Sequence, residues 1–282
     1  MSLVVTGATG HLGRLVVEAL LDANVPAERI VAAGRDTAKI ADLAERGVAV
    51  RAIDYEDPAS LRAAFHDAER VLLVSSSELG RRTEQHRNVI EAAQHVDLLV
   101  YTSIANADRS GLRLAEEHLE TEKLLHDARV PVTVLRNGWY LENYTDQLST
   151  YVEHGAVFGS AGDGRVNAAT RADYAAAAAA VLTRDGHAGK VYELGGEAFT
   201  MSELAAEVSR ATGKDVEYRD LSADEYAKLL AGAGLPEEFA AVLADSDVGI
   251  ARGDLEVASD DLRTLLGRAP TTLAEAVAAA VG

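Results

Sequence analysis

The chain has no cysteine among its 282 residues. A disulfide framework and thiolate chemistry are both excluded. A reducing compartment is the simplest setting for such a chain, so the expected location is cytoplasmic. Basic residues are scarce, 27 against 45 acidic ones, for a net charge of −18. That deficit argues against nucleic acid or an anionic membrane as a standing partner, yet leaves room for a local basic pocket. No run approaches the ~18 apolar residues of a membrane span, and no membrane insertion is expected. The alanine run from Ala175 to Ala180 is bracketed by Asp173 and Arg184 and reads as a tightly packed soluble helix. No signal peptide is expected, because the first residues enter a strand at once. The eight histidines form no His-Glu-x-x-His or other ligand spacing, and no metal site is expected. A Gly-x-Ser-x-Gly elbow and a Gly-Lys-Ser/Thr phosphate loop are absent too.

What is present begins at the N-terminus. Leu3-Val4-Val5 is a β-branched run that breaks into Thr6-Gly7-Ala8-Thr9-Gly10-His11-Leu12-Gly13, and Leu15-Val16-Val17 then starts a helical pattern. In this strand–turn–helix context, Gly7 permits the tight turn and Gly10 lets the backbone approach a pyrophosphate. Gly13 lets helix pack close on strand. The free N–H groups and dipole of the helix start favour the phosphate charge. This is a dinucleotide-binding signature.

The following residues repeat a strand–helix rhythm. Residues 29–34 read as a second strand, with Arg35 and Asp36 at its tip, where a doubly wound fold chooses its cofactor. Arg35, with Lys39 one turn on, suits the 2′-phosphate of NADP. Asp36 would serve either an NAD ribose or the cap of the next helix. Residues 48–53, 71–74, 98–103 and 132–135 read as further strands. Asp57-Pro58 opens one helix, and a long polar helix spans about 112–128. Ser75-Ser76-Ser77 follow a strand, where ligands bind in open sheets; the competing role is a helix cap. The alternation predicts an α/β fold: a Rossmann-type doubly wound parallel sheet with a smaller C-terminal α+β substrate domain. The expected division is 1–137, with segments of about 156–185 returning to it, and a mostly helical lid over 138–282. Capped helix starts are read at Thr170 and Thr200, with a helical chain from Ala223 broken at Gly234-Leu235-Pro236. His86 and His118 fall on helices and read as structural.

Several segments at matching spacing carry a family resemblance. They are Thr6 to Gly13, Ser75 to Glu78, Gln85 to Asn88, Tyr101 to Ser103, His118 to Lys123, Arg136 to Tyr144, Thr170 to Tyr174 and Ala244 to Gly249. The chain resembles the NmrA-like, atypical short-chain dehydrogenase/reductases, and within them the bacterial type 2 NADPH:quinone oxidoreductases. The resemblance implies NADP(H) as cofactor. It places Thr6, Gly7, Thr9, Gly10, His11, Leu12 and Gly13 at the pyrophosphate, Arg35 at the 2′-phosphate, and Ser75, Ser76 and Ser77 beside the ribose and nicotinamide. Lys123, Asn137, Gly138, Trp139, Tyr140 and Arg171 complete the implied cofactor site.

The wider superfamily uses Tyr-x-x-x-Lys, with the tyrosine as proton donor. Here Lys123 is matched by Leu119 at the tyrosine's position. A ketone needs an acid for its developing alkoxide. A quinone accepts hydride readily, and its delocalised phenolate needs little beyond hydrogen-bond donors. The resemblance therefore implies direct hydride transfer to a small-molecule quinone, with Lys123, Tyr140 and Asn143 as catalytic candidates. Asn137 is a further donor, and Trp139, the sole tryptophan, an aromatic wall. The alternatives are an NADP(H)-binding redox sensor without turnover and a reductase of another conjugated substrate. Neither composition nor pattern decides between a monomer and a homodimer.

Overall fold

A computed structural model describes residues 2–281 of the chain. Its first half alternates without interruption: β1 (Ser2–Val5), α1 (His11–Asp22), β2 (Ile30–Gly34), α2 (Ala41–Glu45), β3 (Ala49–Ala52), α3 (Pro58–Phe65), β4 (Ala68–Leu73), α4 (Arg82–Ala92), β5 (Leu98–Ile104), α5 (Arg113–His126) and β6 (Val132–Asn137). The second half is less regular. It comprises β7 (Trp139–Tyr140), α6 (Glu142–Thr145), α7 (Leu148–His154), β8 (Ala156–Gly159), β9 (Arg165–Ala169), α8 (Arg171–Thr183), β10 (Val191–Leu194), β11 (Ala198–Thr200), α9 (Met201–Thr212) and β12 (Glu217–Asp220). Four helices close the chain: α10 (Ala223–Gly232), α11 (Glu237–Arg252), α12 (Asp261–Leu266) and α13 (Leu273–Val281).

Seven strands form one parallel sheet in the order β10-β6-β5-β4-β1-β2-β3. The order reverses between β1 and β4, and ligands of doubly wound sheets bind at that switch point. Central strands are buried on both faces, which explains their unbroken apolar runs. One core cluster packs α1 and α8 on one face, and another packs α3 and α4 on the other. A third cluster lies among β8, β9, α9 and α11, away from the sheet.

Local chemistry places the helices. Asp57 accepts the Ala59 N–H at 2.9 Å and Pro58 takes the first turn of α3. Thr200 and Glu203 form a reciprocal capping box on α9, and Thr170 caps α8 by accepting the Asp173 N–H. The break at Gly234-Leu235-Pro236 separates α10 from α11.

The structure removes one competing role and corrects two expectations. The serines after β4 do not cap α4: Arg81 stands at its N-cap, and the serines face outward at the sheet tip. Of the segment 156–185, only α8 packs on the main sheet. β8 pairs with β12 in a two-stranded sheet and β9 with β7 and β11 in a three-stranded one, so the strand that returns is β10. Its Val191–Leu194 run pairs in parallel with Val134–Asn137. The C-terminal chain is not helical throughout either. Gly253 and Gly267 take left-handed backbone, at φ 83 and 70°, and end α11 and α12.

Candidate active site: a cleft at the strand switch point

A cleft of about 980 Å³ opens above the carboxyl ends of β1 and β4 and runs toward α10 and α11. Its base is the first turn. Gly7 holds φ +61°, and a Cβ on Gly13 would lie 2.3 Å from the Gly7 carbonyl oxygen. Only a residue without a side chain lets α1 start this close to the strand. A Cβ on Gly10 would meet only the Gly7 oxygen, at 3.4 Å, so Gly10 leaves space toward the cleft rather than toward the protein. The first turn of α1 carries no acidic residue and no side-chain cap, so its N–H groups are left for an anion.

Thr6 lies beneath this turn, wholly buried. Its hydroxyl donates to the Leu72 carbonyl at 2.9 Å, while the Val74 N–H donates to it at 3.1 Å. Tyr55 spans Thr6 and the Val74 carbonyl with its own hydroxyl. Thr6 thus fixes the two strand tips to each other and does not line the cleft, which corrects its expected contact with the cofactor. Thr9, His11 and Leu12 do line it.

Arg35 stands at the cleft rim and pairs with Glu78, Nη1 to Oε1, at 2.7 Å. Asp36 is exposed, does not line the cleft, and lies 3.8 Å from Lys39. Of its two alternative roles, the helix cap is not formed by its side chain. The charge that β2 presents to the cleft is therefore the guanidinium.

On the opposite side, Asn137, Gly138, Trp139, Tyr140, Asn143 and Arg171 line the wall together. A Cβ on Gly138 would lie 2.4 Å from the Asn167 carbonyl oxygen, which is why the chain crosses from β6 to β7 at a glycine. Arg171 lies over the Tyr140 ring, 4.8 Å from its centroid, and donates to Asn143 Oδ1 at 3.2 Å. Burial raises the Tyr140 phenol above its ordinary pKa, with Asn137 and Arg171 partly offsetting this, so it stays a hydrogen-bond donor at neutral pH.

The helix α5 gives a further correction. Leu114 and His118, four residues apart, face the cleft. Glu122, four further on, accepts from Ser103 at 2.6 Å and from Arg136 at 3.0 and 2.6 Å. Leu119 and Lys123 are each rotated by roughly 100° from that face. Lys123 is exposed and does not line the cleft, so it neither holds a cofactor there nor donates to a substrate. His118, read from the sequence as structural, occupies the wall instead.

Farther out the cleft becomes apolar, with Leu229, Leu230, Phe239 and Leu243 from α10 and α11. One carboxylate interrupts it. Asp247 accepts the Ser160 N–H at 2.8 Å, and burial pushes its pKa up to about 6. Tyr144, Tyr151 and Tyr226 line the same end.

Among the described residues, four side-chain polar atoms are buried without a hydrogen-bond partner: Arg82 Nη1, Gln85 Oε1, Asn137 Oδ1 and Tyr144 Oη. All four residues line this cleft. Buried polar groups are normally paired, so their concentration here marks a surface completed by a ligand. A glycine cradle at a helix start, a rim arginine and an orphaned amide together fit a phosphorylated dinucleotide.

Residues 1–273 match the profile of the NmrA-like family. The chain belongs to that family. Its relatives include Quinone oxidoreductase 2 of Escherichia coli (strain K12). The two are 51% identical over 278 residues, covering 98% of this chain and 97% of the relative. A crystal structure of the NADPH-dependent quinone oxidoreductase of Escherichia coli complexed with NADPH superposes with a TM-score of 0.96 at 50% identity, covering 99% of this chain and 100% of that one. The Citrobacter sp. triphenylmethane reductase complexed with NADP(H) superposes with a TM-score of 0.95 at 40% identity, covering 99% and 100%. The Rossmann-type sheet is common to these structures.

No described helix is long and apolar enough to cross a membrane.

Proposed function

We propose that the chain is an NADPH-dependent quinone oxidoreductase that passes hydride directly to its acceptor, without flavin or metal. The carrying observation is the continuity of one cleft. It runs from a glycine cradle and Arg35, past a wall of hydrogen-bond donors, into an apolar end lined by Leu229, Leu230, Phe239 and Leu243. The relatives named as NADPH-dependent quinone oxidoreductases, half identical over almost the whole chain, support the same reading.

NADPH, when bound, supplies the hydride. The chain's residues bind, orient and exclude water. Gly7, Gly10 and Gly13 seat the pyrophosphate, Arg35 the 2′-phosphate, and Ser75, Ser76 and Ser77 border the ribose and nicotinamide. Thr9, His11 and Leu12 flank the pyrophosphate, and Gly138, Trp139 and Arg171 the nicotinamide end. Asn137, Tyr140 and Asn143 offer N–H and O–H groups to an acceptor oxygen, where a phenolate charge develops. Residues 1–137 supply the cofactor side and residues 138–282 most of the acceptor side. The setting is cytoplasmic.

The test is NADPH absorbance in the presence of several quinones. Steady oxidation that is lost in Arg35→Glu supports the reading. Tight binding with no turnover over the whole panel overturns it in favour of a redox sensor.

One observation favours a second reading, reduction of another conjugated acceptor. Asp247 with three tyrosines around it suits a cationic acceptor, and the Citrobacter relative is named for triphenylmethane reduction. Turnover of a cationic triarylmethyl dye in preference to quinones supports it.

A further inference from the structure

The cleft wall contains a donor that neither the sequence motifs nor the family comparison assigns. His118 is buried, lines the cleft, and bonds Tyr101 Oη through Nδ1 at 2.7 Å. Its Nε2 has no hydrogen-bond partner among the described residues.

Which nitrogen carries the proton follows from a chain of bonds starting at the backbone. The Ser76 N–H donates to His86 Nε2 at 2.9 Å. His86 is therefore unprotonated there, and burial beside Arg82 pushes its pKa down to about 3, so it is neutral. Its one proton sits on Nδ1 and is donated to Thr121 Oγ1 at 2.9 Å. Thr121 in turn donates to the Glu117 carbonyl at 2.8 Å. Tyr101 packs edge-on against His86, and the one hydrogen bond its hydroxyl makes with a described residue is to His118 Nδ1. Tyr101 is buried and stays protonated. Its hydroxyl proton goes to His118 Nδ1. Burial, Arg82 and His86 keep His118 neutral, so its proton is on Nε2, the nitrogen that no protein group uses.

The hydroxyls at the end of β5 are spent elsewhere. Thr102 Oγ1 accepts the Ser75 N–H at 2.9 Å, and Ser103 donates to Glu122. On this stretch of wall two groups keep protons that no described residue accepts, His118 Nε2 and the buried Arg82 Nη1, and of these the imidazole is the neutral one.

We propose that His118 Nε2–H, oriented by Tyr101, is a hydrogen-bond donor to the oxygen on which negative charge develops as the acceptor is reduced. This rests on the quinone reading above. The quinone gains a hydride: one O–H bond forms on it as a C–H bond of the dihydronicotinamide breaks, two electrons passing with the hydrogen. The product is a hydroquinone monoanion with its charge on the second oxygen. His118 holds that oxygen without giving up its proton, since an imidazolate would be far too basic. Water supplies the second proton afterwards. A neutral imidazole acts here as an electrophile, and Tyr101 is a positioning residue.

The test compares two quinones of opposite electron demand. Tetramethyl-1,4-benzoquinone gives a basic phenolate, and tetrachloro-1,4-benzoquinone a weakly basic one. His118→Phe should lower kcat/KM about 10²-fold for the first, the usual effect of removing one oxyanion donor, and only about threefold or less for the second. Tyr101→Phe, which keeps the imidazole but frees its tautomer, should show a smaller loss with the same ordering. Trp139 fluorescence on NADPH addition reports whether each variant still folds and binds. A readout independent of turnover is ¹⁵N NMR of histidine-labelled protein without cofactor. The signals absent from His118→Phe should show Nε2 protonated and Nδ1 bare, and 4-nitrophenolate should shift Nε2. An equal loss on both quinones, no loss, or a protonated Nδ1 overturns the assignment alone. A wild-type enzyme that reduces neither quinone overturns the quinone reading, and the assignment with it.

Discussion

Arg35 Nη1 lies 2.7 Å from Glu78 Oε1 across the rim of the cleft. The carboxylate stands where a 2′-phosphate would compete for the same guanidinium. Both groups are partly solvated, so the pair itself contributes little to stability. Arg35→Ala should weaken NADPH binding about tenfold, equivalent to ~1.4 kcal/mol, and leave NADH nearly unchanged. Glu78→Gln should strengthen NADPH binding a few-fold. Quenching of Trp139, which lines the cleft and is the sole tryptophan, measures both.

Gly10 and Gly13 should separate folding from binding. A methyl at position 13 would sit 2.3 Å from a backbone oxygen, so Gly13→Ala should lower the melting temperature markedly. A methyl at position 10 meets nothing closer than 3.4 Å and points into free space. Gly10→Ala should melt near the wild type and yet lose NADPH affinity. Thermal melts with and without NADPH decide the matter.

Asp247 should make stability fall as pH rises. Its folded pKa of about 6 lies above its ordinary value of 3.8. Between those values the unfolded chain has already lost the proton that the folded chain retains, so stability declines from pH 4 to 6 and then levels. The burden is on the order of 3 kcal/mol at neutral pH. Asp247→Asn should melt above the wild type at pH 7.5, with the difference closing toward pH 4.

Arg136 should be the costliest charge to remove. Nearly buried, it holds Glu122 through Nε and Nη2, and Glu193 and Asp108 through Nη1 at 2.9 and 3.0 Å. Those carboxylates keep it protonated despite its burial. Arg136→Met strands Glu122 beneath the cleft and should cost about 3–5 kcal/mol in urea unfolding.

The sheet was legible because its strands are buried on both faces and read as plain apolar runs between turn residues. The cradle was legible because three glycines must stand where they do. The face of α5 was not. Its inward positions are Ala115, His118, Thr121 and Leu125, two of them polar, so hydrophobic periodicity gives no clear direction. Matching Lys123 to a known motif then set the helix one residue out of register, which turned the wrong side to the cleft. The acceptor end was hidden for the opposite reason. Leu229, Leu230, Phe239 and Leu243 have the spacing of core residues, and nothing local says that they border a void. Strand-end reasoning, which needs only the order of the elements, put the serines after β4 and Arg35 at the carboxyl end of the sheet, and they line the cleft there.

The helix α8 joins two of these features. Its alanines pack directly on Leu12, Val16, Val17 and Leu20 of α1, and its first residue is Arg171 over the Tyr140 ring. An interface of methyl groups leaves neither helix any slack, because close-packed interiors scarcely compress. The glycine turn and the tyrosine wall are thus two ends of one stiff strut. A shift at one end of that strut is therefore passed to the other, and the span between the glycine turn and Tyr140 is set by helix packing rather than by the loops around it.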